Sequence, residues 1–268
     1  MYVLIIIIIL FLLYILSTVC RKGHRGLSTL RGWNYAHRGL HGHGVPENSI
    51  AAFRKALESG YGSELDVHLL ADGQLAVIHD SLLKRTTGAE GQIENLNAAQ
   101  LDDYHLEGTT QTIPLLTQVL DIYAGKAPLI VELKPTVNNV DALCRRTCEI
   151  MDDYPGAYCI ESFDPRCVHW FRKHRPDIIR GQLTENFFAT PDSKLPMPVK
   201  FLMKTLMFNF LTRPDFIAYR FRDRNNLSNF LCRKLWGVQG VAWTLENMDE
   251  YNTAVKENLI AIFEGFCP

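Results

Sequence analysis

Two acidic residues and a histidine alternate with apolar residues in one short stretch of the chain. In residues 63–68, Glu64, Asp66 and His68 occupy every second position, and Leu65 and Val67 lie between them. Successive side chains of a β-strand point to opposite faces, so the three polar residues would share one face. Two carboxylates on a buried strand are costly unless a positive charge compensates for them. A divalent cation would do so, while a solvent-facing edge strand would explain the same spacing.

A second apolar run also ends in an acid. Residues 129–134 are apolar until Glu132, and Lys134 follows two positions later. The C-terminal ends of parallel barrel strands meet at one face, where Glu132 can join Glu64 and Asp66. Three carboxylates suit Mg²⁺ or Ca²⁺, with water and a substrate oxygen completing the coordination. The sequence therefore predicts one divalent cation and favours a phosphate-containing substrate.

Histidines follow two further predicted strands. His37 comes after Tyr35-Ala36 and is followed by Arg38, and His79 ends the run 75–79. A pair of histidines on either side of a scissile bond can act as general acid and base. The guanidinium of Arg38 matches phosphate oxygens in two-point contact. His41 and His43 could be metal ligands, but their glycine-rich surroundings favour a flexible loop.

These residues need a scaffold that brings strand ends together. From Trp33 onward, β-like apolar runs alternate with helical patterns, which indicates βαβ units and a parallel sheet. The predicted strands are a segment ending at residue 36 and residues 63–70, 75–79, 129–133, 157–161, 179–183, 216–218, 240–243 and 260–263. The predicted helices cover 49–59, 115–124, 140–153 and 164–173. About eight strands in roughly 235 residues favour a TIM (β/α)8 barrel over an open sheet.

The order and spacing of these motifs resemble those of the glycerophosphodiester phosphodiesterases. The motifs that carry the resemblance are His37-Arg38-Gly39, Pro46-Glu47-Asn48-Ser49, Glu64-Leu65-Asp66-Val67, Asp72-Gly73, His79-Asp80, Arg85-Thr86-Thr87-Gly88, Ile113-Pro114-Leu115-Leu116, Glu132-Leu133-Lys134, Ser162-Phe163-Asp164-Pro165 and Trp243-Thr244. The resemblance covers about residues 33–268. It implies a TIM barrel that uses a divalent metal to hydrolyse a glycerophosphodiester to glycerol 3-phosphate and an alcohol.

Site roles follow from the resemblance, position by position. It implies Glu64, Asp66 and Glu132 as metal ligands, His37 and His79 as general base and acid, Arg38 and Lys134 as holders of the phosphoryl oxygens, and Glu47 as a supporting residue. For Glu47, a helix-start residue that orders its loop is the alternative. In enzymes similar to this one, a glycerol hydroxyl is thought to attack phosphorus and give a cyclic phosphate. The residues alone leave this route and direct attack by water both open.

The chain departs from the family pattern in a few places. Leu70 replaces the usual threonine, and Trp243-Thr244 is followed by Leu245-Glu246-Asn247 instead of a Val-Asn pair. Residues 263–268 replace a stretch that resembles Thr-Asp-x-Pro. We expect these changes to affect contacts at the barrel rim and at its closure, and not the metal or proton-transfer residues.

The first twenty residues have a different character. Residues 2–20 carry no charge and, as a helix, would extend about 28 Å, close to the thickness of a bilayer's hydrocarbon core. A basic n-region and a small-residue cleavage site, expected in a signal peptide, are lacking. We interpret residues 2–20 as a single-pass transmembrane anchor rather than a signal peptide or a buried core segment. Residues 21–32 are then a basic juxtamembrane linker and residues 33–268 the barrel domain, as in a membrane-anchored bacterial-type member of the family.

The linker also predicts on which side of the membrane the barrel domain lies. Its basic residues are Arg21, Lys22, Arg25 and Arg31, and the positive-inside rule places such a cluster, with the catalytic domain, in the cytoplasm. Seven scattered cysteines form a poor disulfide framework and agree with a reducing compartment.

The segment 193–214 is basic, free of acids and spaced like an amphipathic helix. It would either lie in a membrane interface or pack its apolar side on the barrel. The interfacial alternative would favour a lysophospholipase D or a phosphatidylglycerol-type lipid phosphodiesterase over an enzyme for soluble glycerophosphocholine.

Other functional classes are less well supported. A catalytically inactive barrel that serves as a membrane-bound binding module is an alternative, but the complete set of candidate site residues argues against it. With 28 basic and 29 acidic residues, the chain lacks the overall positive charge of a nucleic-acid-binding protein. Its dispersed apolar residues and average charge content exclude a disordered chain or a multi-span transporter. No oligomeric state is predicted.

Overall fold

Eight parallel strands close into a barrel. The computed structural model describes residues 1–190 and 195–268. Its strands are β1 (Asn34–Ala36), β2 (Gly62–Leu69), β3 (Leu75–Val77), β4 (Leu129–Leu133), β5 (Tyr158–Ser162), β6 (Arg180–Thr184), β7 (Phe216–Arg220), β8 (Gln239–Leu245) and β9 (Ile260–Phe263). All except β3 pair in parallel, and β1 hydrogen-bonds to both β2 and β9, which closes the sheet. The predicted TIM-type barrel is confirmed.

Strand β3 is not a barrel strand, although the run 75–79 was expected to continue the parallel sheet. It pairs antiparallel with β2, with Val77 opposite Val67, and ends two residues before His79. Only a short turn separates the two strands, and it contains Gly73 at a φ of +83°. A parallel partner would need a crossover of a dozen or more residues, so a hairpin is the only pairing that this turn allows.

Helices surround the barrel. They are α1 (Tyr2–Ser17), α2 (Leu27–Leu30), α3 (Ile50–Glu58), α4 (Lys84–Thr87), α5 (Leu116–Tyr123), α6 (Val140–Met151), α7 (Pro165–His174), α8 (Met197–Lys204), α9 (Asn209–Thr212), α10 (Leu227–Phe230) and α11 (Met248–Lys256). Short 3₁₀ turns cover Ile93–Asn95, Ala98–Asp103 and Phe221–Asp223, and a π-helical turn covers Leu231–Leu235. The Ser49 side chain accepts a hydrogen bond from the amide of Ala52, which caps the start of α3.

The alternation along β2 divides its side chains between two environments. Leu65 and Val67 pack outward into the layer between strands and helices, together with Phe53 of α3. Glu64 and Asp66 point to the opposite face, inside the barrel. The edge-strand explanation of their spacing is therefore wrong, because β2 pairs with β1 on one side and β4 on the other.

The N-terminal helix is shorter than the transmembrane anchor predicted for residues 2–20. Helix α1 stops at Ser17, and residues 1–13 are exposed. Within residues 1–190 and 195–268, no helix combines the length and the apolar character needed to cross a membrane.

Residues 18–32, which include the expected linker, pack against the barrel. The indole nitrogen of Trp236 donates to the Thr18 hydroxyl at 3.1 Å, and Arg21 forms an ion pair with the buried Asp215. Further along, Leu27 and Leu30 are buried beneath the N-terminal ends of the strands. These contacts make the segment part of the folded domain.

The segment 193–214 does not form one helix. Helices α8 and α9 are separated by a turn in which Leu206 has a φ of +57°. Residues 193 and 194 of the predicted helix lie outside the described residues. Leu206 is buried, whereas Met197 and Phe201 are exposed, so only part of the apolar side packs on the barrel.

Candidate active site

Three carboxylates meet at the C-terminal end of the barrel. Asp66 of β2 lies opposite Glu132 of β4, and Glu64 is on the same face of β2. One oxygen from each of the three lies within 4.8 Å of the others, and all three side chains are buried. Burial and the neighbouring carboxylates raise the pKa of Glu64 well above its ordinary value, and burial also raises the pKa of Glu132. Burial would raise that of Asp66 too, but the Lys134 ammonium and other nearby cations hold it well below its ordinary range.

The chemistry of this cluster fits a divalent cation. The Lys134 Nζ lies 3.0 Å from Asp66 Oδ1 and 2.7 Å from Glu132 Oε1. Glu161 lies opposite Glu132 on β5, and its buried Oε2 has no hydrogen-bond partner within the described residues. Four carboxylates thus face two permanent cations, Lys134 and Arg38. A hard cation would supply the missing positive charge and bind the available oxygens.

Each candidate histidine is held by a carboxylate at Nδ1. His37 Nδ1 lies 2.5 Å from Glu264 Oε2, and His79 Nδ1 lies 2.6 Å from Asp80 Oδ1. Both rings line the same small cavity as Glu64 and Glu132, and His37 Nε2 is 3.9 Å from Glu64 Oε2. Burial lowers the pKa of both histidines, and the nearby Lys134 ammonium also lowers that of His79. A neutral ring with its proton on Nδ1 leaves Nε2 available for proton transfer.

The turn after β1 places Arg38 over the carboxylates. Arg38 has a φ of +52°, its amide donates to Glu64 Oε2 at 3.2 Å, and its Nε lies 3.5 Å from Asp66 Oδ2. Gly39 follows at a φ of +78°, and a Cβ there would come within 2.8 Å of Ala52. A glycine is therefore needed at position 39 for the turn that carries Arg38.

Glu47 joins two arginines rather than the carboxylate cluster. Arg38 donates to its Oε1 at 3.0 Å, and Arg85 Nη2 donates to the same oxygen at 2.6 Å. Burial opposes ionisation, but these guanidinium groups lower the pKa of Glu47. The geometry assigns Glu47 the task of holding Arg38 in place.

Several residues of the site were missed in the sequence. Asn48 donates from Nδ2 to Asp66 Oδ2 at 2.8 Å, and Arg85 contacts Glu47; both lie in motifs that were noted without a role. Glu161 could have been found because it ends a strand as Glu132 does. Glu264 stood out only as a departure from the family pattern, yet it contacts His37 and lies 3.4 Å from His41 Nε2.

His68 does not join the site although it shares a strand face with Glu64 and Asp66. Its Nδ1 lies 2.7 Å from Glu94 Oε1, and its Nε2 lies 3.1 Å from the carbonyl oxygen of His79. His68 therefore supports the loop that carries His79.

Four of the residues that line the cavity are apolar. They are Phe163, Leu183, Trp243 and Ile262, and the Phe163 and Trp243 rings meet edge to face at 5.5 Å. The cavity thus combines charged side chains, two histidines and apolar side chains. This arrangement suits the cleavage of a small phosphate ester whose uncharged part contacts the aromatic rings.

Comparison with known proteins identifies the family. Residues 37–264 match the model of the glycerophosphoryl diester phosphodiesterase family. The chain belongs to this family. A glycerophosphodiester phosphodiesterase from Bacillus altitudinis is 33% identical over 172 residues, covering 60% of this chain and 70% of the relative. One from Caldanaerobacter subterraneus is 26% identical over 237 residues, covering 85% and 91%. The prediction of a phosphoric diester hydrolase of the glycerophosphodiester phosphodiesterase family is confirmed.

Two further similarities concern other parts of the prediction. A lysophospholipase D from Rattus norvegicus is 33% identical over 147 residues, which are 50% of this chain and 44% of the relative. The structure of an Oleispira antarctica phosphodiesterase in complex with the product sn-glycerol-3-phosphate superposes with a TM-score of 0.73 at 22% identity, covering 89% and 94%. The second similarity supports the barrel fold of this glycerophosphodiester phosphodiesterase family member.

Proposed function

We propose that this protein hydrolyses glycerophosphodiesters to glycerol 3-phosphate and an alcohol with the help of one divalent cation, Mg²⁺ or Ca²⁺. One observation carries the proposal: two histidines, each held at Nδ1 by a carboxylate, share a cavity with Glu64 and Glu132, two members of a buried trio of carboxylates. The trio of Glu64, Asp66 and Glu132 would hold the cation. When bound, the cation would neutralise charge on the phosphoryl group and favour ionisation of the attacking oxygen.

His37 is the general base. Glu264 accepts the proton bonded to Nδ1, which fixes the ring and leaves the Nε2 lone pair facing the cavity. Nε2 takes the proton from the attacking hydroxyl, whether that hydroxyl belongs to the substrate glycerol or to water. The Glu264 carboxylate stabilises the imidazolium that forms.

His79 is the general acid. Its Nδ1 is held by Asp80, and Asp80 is fixed in turn by Arg85, so the ring keeps one orientation. To act as an acid, the ring must carry a second proton, on Nε2, and the Asp80 carboxylate favours this imidazolium form and so opposes the effect of burial on the pKa of His79. The Nε2 proton passes to the leaving alcohol oxygen as the bond to phosphorus breaks, which returns the ring to its neutral form. Arg38 and Lys134 hold the phosphoryl oxygens as negative charge increases there.

The test is release of glycerol 3-phosphate from a soluble glycerophosphodiester, measured with and without a chelator. We expect the chelator, His37→Ala and His79→Ala each to abolish most activity, because each removes a required group. His174→Ala, on the outer helix α7, is the control and should retain activity. Full activity after both chelation and His37→Ala would refute the proposed site.

We also propose a membrane-attached protein that acts on lipid-derived diesters such as lysophospholipids. The observation that favours this is α1, whose large apolar side chains are exposed on all sides. Exposure of so many apolar groups to water is unfavourable, and lipid would cover them. The similarity to a lysophospholipase D supports the same substrate class. The basic residues at 21–31 favour a cytoplasmic barrel.

Cys267 allows a direct test of this orientation, because it is the exposed cysteine among seven. In intact cells, we expect a membrane-impermeant maleimide to leave Cys267 unlabelled and to label it after permeabilisation, with the protein in the membrane fraction. Labelling before permeabilisation would contradict the cytoplasmic orientation, and recovery in the soluble fraction would contradict attachment.

A further inference from the structure

Many of the exposed large apolar side chains lie in the connections at one end of the barrel, whereas Phe210, Leu211, Leu235 and Val255 are exposed elsewhere. Outside α1, the described residues include several that follow the C-terminal ends of β4, β6, β7 and β8. They are Val137, Phe188, Met197, Phe201, Phe230 and Met248, each between 44% and 78% exposed. We call these six residues the apolar rim. They lie at the same end of the barrel as the carboxylate trio and the two histidines.

Helix α1 points toward the same end. Arg21 pairs with Asp215, which immediately precedes β7, so this part of the chain lies at the N-terminal end of the barrel. Thr18 accepts the hydrogen bond from Trp236, and the Tyr14 hydroxyl has Ser228 of α10 and Tyr219 of β7 among its polar neighbours. From Thr18 back to Tyr14, α1 therefore runs from the N-terminal end of the barrel toward the connection that follows β7, at the catalytic end.

The remaining part of α1 extends past the rim. Residues 2–13 are exposed. At 1.5 Å per residue they reach about 18 Å beyond Tyr14, more than the roughly 15 Å of hydrocarbon in one lipid leaflet. Helices α8 and α10 belong to the two connections next to α1, and they carry Phe201 and Phe230. An apolar helix and the apolar rim thus face the same side of the molecule.

Basic side chains accompany the part of the rim next to α8 and β7, whereas Met248 is followed by Asp249 and Glu250. Lys200 and Lys204 lie on α8, and Arg222 follows β7. None of the three forms an ion pair with an acid of residues 1–190 or 195–268. Lys204 Nζ lies 5.5 Å from the centre of the Phe188 ring, so a cation and an apolar ring share one location. Positive charge next to aromatic and aliphatic groups complements the anionic headgroups and acyl chains of a membrane surface.

We propose that the apolar rim docks on an anionic lipid bilayer while α1 inserts into it, so that the catalytic cavity opens toward the headgroups. The phosphodiester of a lipid with one acyl chain would then need to move only a short distance outward to reach the histidines. The substrate part of this inference rests on the proposed function, whereas the docking geometry does not.

Fluorescence quenching tests the docking geometry. The full chain is bound to phosphatidylcholine–phosphatidylglycerol vesicles whose acyl chains carry bromine, with the unmutated protein as baseline. We expect added quenching for Phe201→Trp and none for Val255→Trp. Val255 is a matched control because it is 50% exposed, against 52% for Phe201, and lies at the end of α11 that leads into β9. Equal quenching of the two variants, or none for Phe201→Trp, would overturn the proposal.

Kinetics test its consequence. We expect Phe201→Glu combined with Phe230→Glu to lower hydrolysis of lysophosphatidylcholine in vesicles by at least about tenfold, because charges at the rim oppose contact with the acyl chains. Hydrolysis of a soluble glycerophosphodiester should stay unchanged, and Val255→Glu should alter neither activity. Equal loss on both substrates would contradict docking, as would sedimentation that shows the rim buried between two copies of the chain. If the unmutated protein cleaves neither substrate, the proposed function fails, while the quenching result still decides the docking.

Discussion

The contact between His37 and Glu264 makes a quantitative prediction about catalysis. Glu264→Gln keeps the size of the side chain and removes its charge. Hydrogen bonds to charged groups contribute about 1.5–3 kcal/mol. Because the Glu264 side chain is 38% exposed and therefore partly screened, the lower value is appropriate. A loss of about 1.5 kcal/mol in the stabilisation of the imidazolium corresponds to roughly a tenfold decrease in kcat.

The same substitution should move the pH profile. Glu264 raises the pKa of His37, opposing the effect of burial. Without that carboxylate the pKa falls further, so His37 stays neutral, and able to act as a base, to lower pH. We therefore expect the acidic limb of kcat/KM to shift toward acid while the maximum rate falls.

The assay is a pH series of kcat and kcat/KM for release of glycerol 3-phosphate from a soluble diester. Glu264→Asp keeps the charge and should keep more of the rate than Glu264→Gln. Glu149→Gln, an exposed carboxylate on α6, should change neither quantity. An unchanged rate and pH profile for Glu264→Gln would refute the assignment of Glu264 as the residue that positions the base, and a shift toward alkaline pH would refute His37 as the base.

Three further predictions concern the metal site and the fold. Glu132→Gln should abolish the binding of Mg²⁺ or Ca²⁺ measured by calorimetry. It should not lower the melting temperature of the metal-free protein, because burial already favours the neutral form of Glu132. A clear decrease in melting temperature would contradict this expectation. Because the pKa of Glu64 is raised, the folded state keeps a proton above pH 4.5 that the unfolded state releases. The stability of the metal-free protein, measured by urea unfolding, should therefore fall as the pH rises from 4.5 toward the raised pKa. Added cation should reverse this loss. A stability that rises over that interval would be the opposite of our expectation. Asp215→Asn should lower the free energy of unfolding by about 3 kcal/mol, because it leaves Arg21 without its buried partner, whereas the exposed Asp121→Asn should have little effect.

The barrel and the carboxylate cluster were readable from the sequence because each depends on local pattern. Strands β4 and β9 are largely apolar runs. A polar residue at the C-terminal end of such a buried strand is expected to lie at the catalytic face of the barrel. Glu64 and Asp66 were found through their period of two along β2. These patterns do not depend on which strands become neighbours.

Other features depend on contacts between distant parts of the chain. The pairing of β3 with β2 is decided by the length of a turn, and the run 75–79 alone looks like any other strand. Glu264 and His37 are 227 positions apart in the chain, and they come into contact only because β9 pairs with β1. In the same way, Leu27 and Leu30 are two apolar residues in a basic segment, so its composition suggested a linker. In the folded protein, these two side chains are buried against the core of the barrel.

The packing of residues 18–32 sets a limit for anyone who wishes to shorten this protein for expression. Removing everything before Trp33 would strip away Arg21 and leave the Asp215 carboxylate buried without its cation, and it would uncover the apolar surface beneath the strands. Removing only residues 2–13 would delete the exposed apolar helix and keep the Thr18 contact with Trp236. A shortened chain should therefore begin within α1, well before the basic segment whose composition suggests a domain boundary.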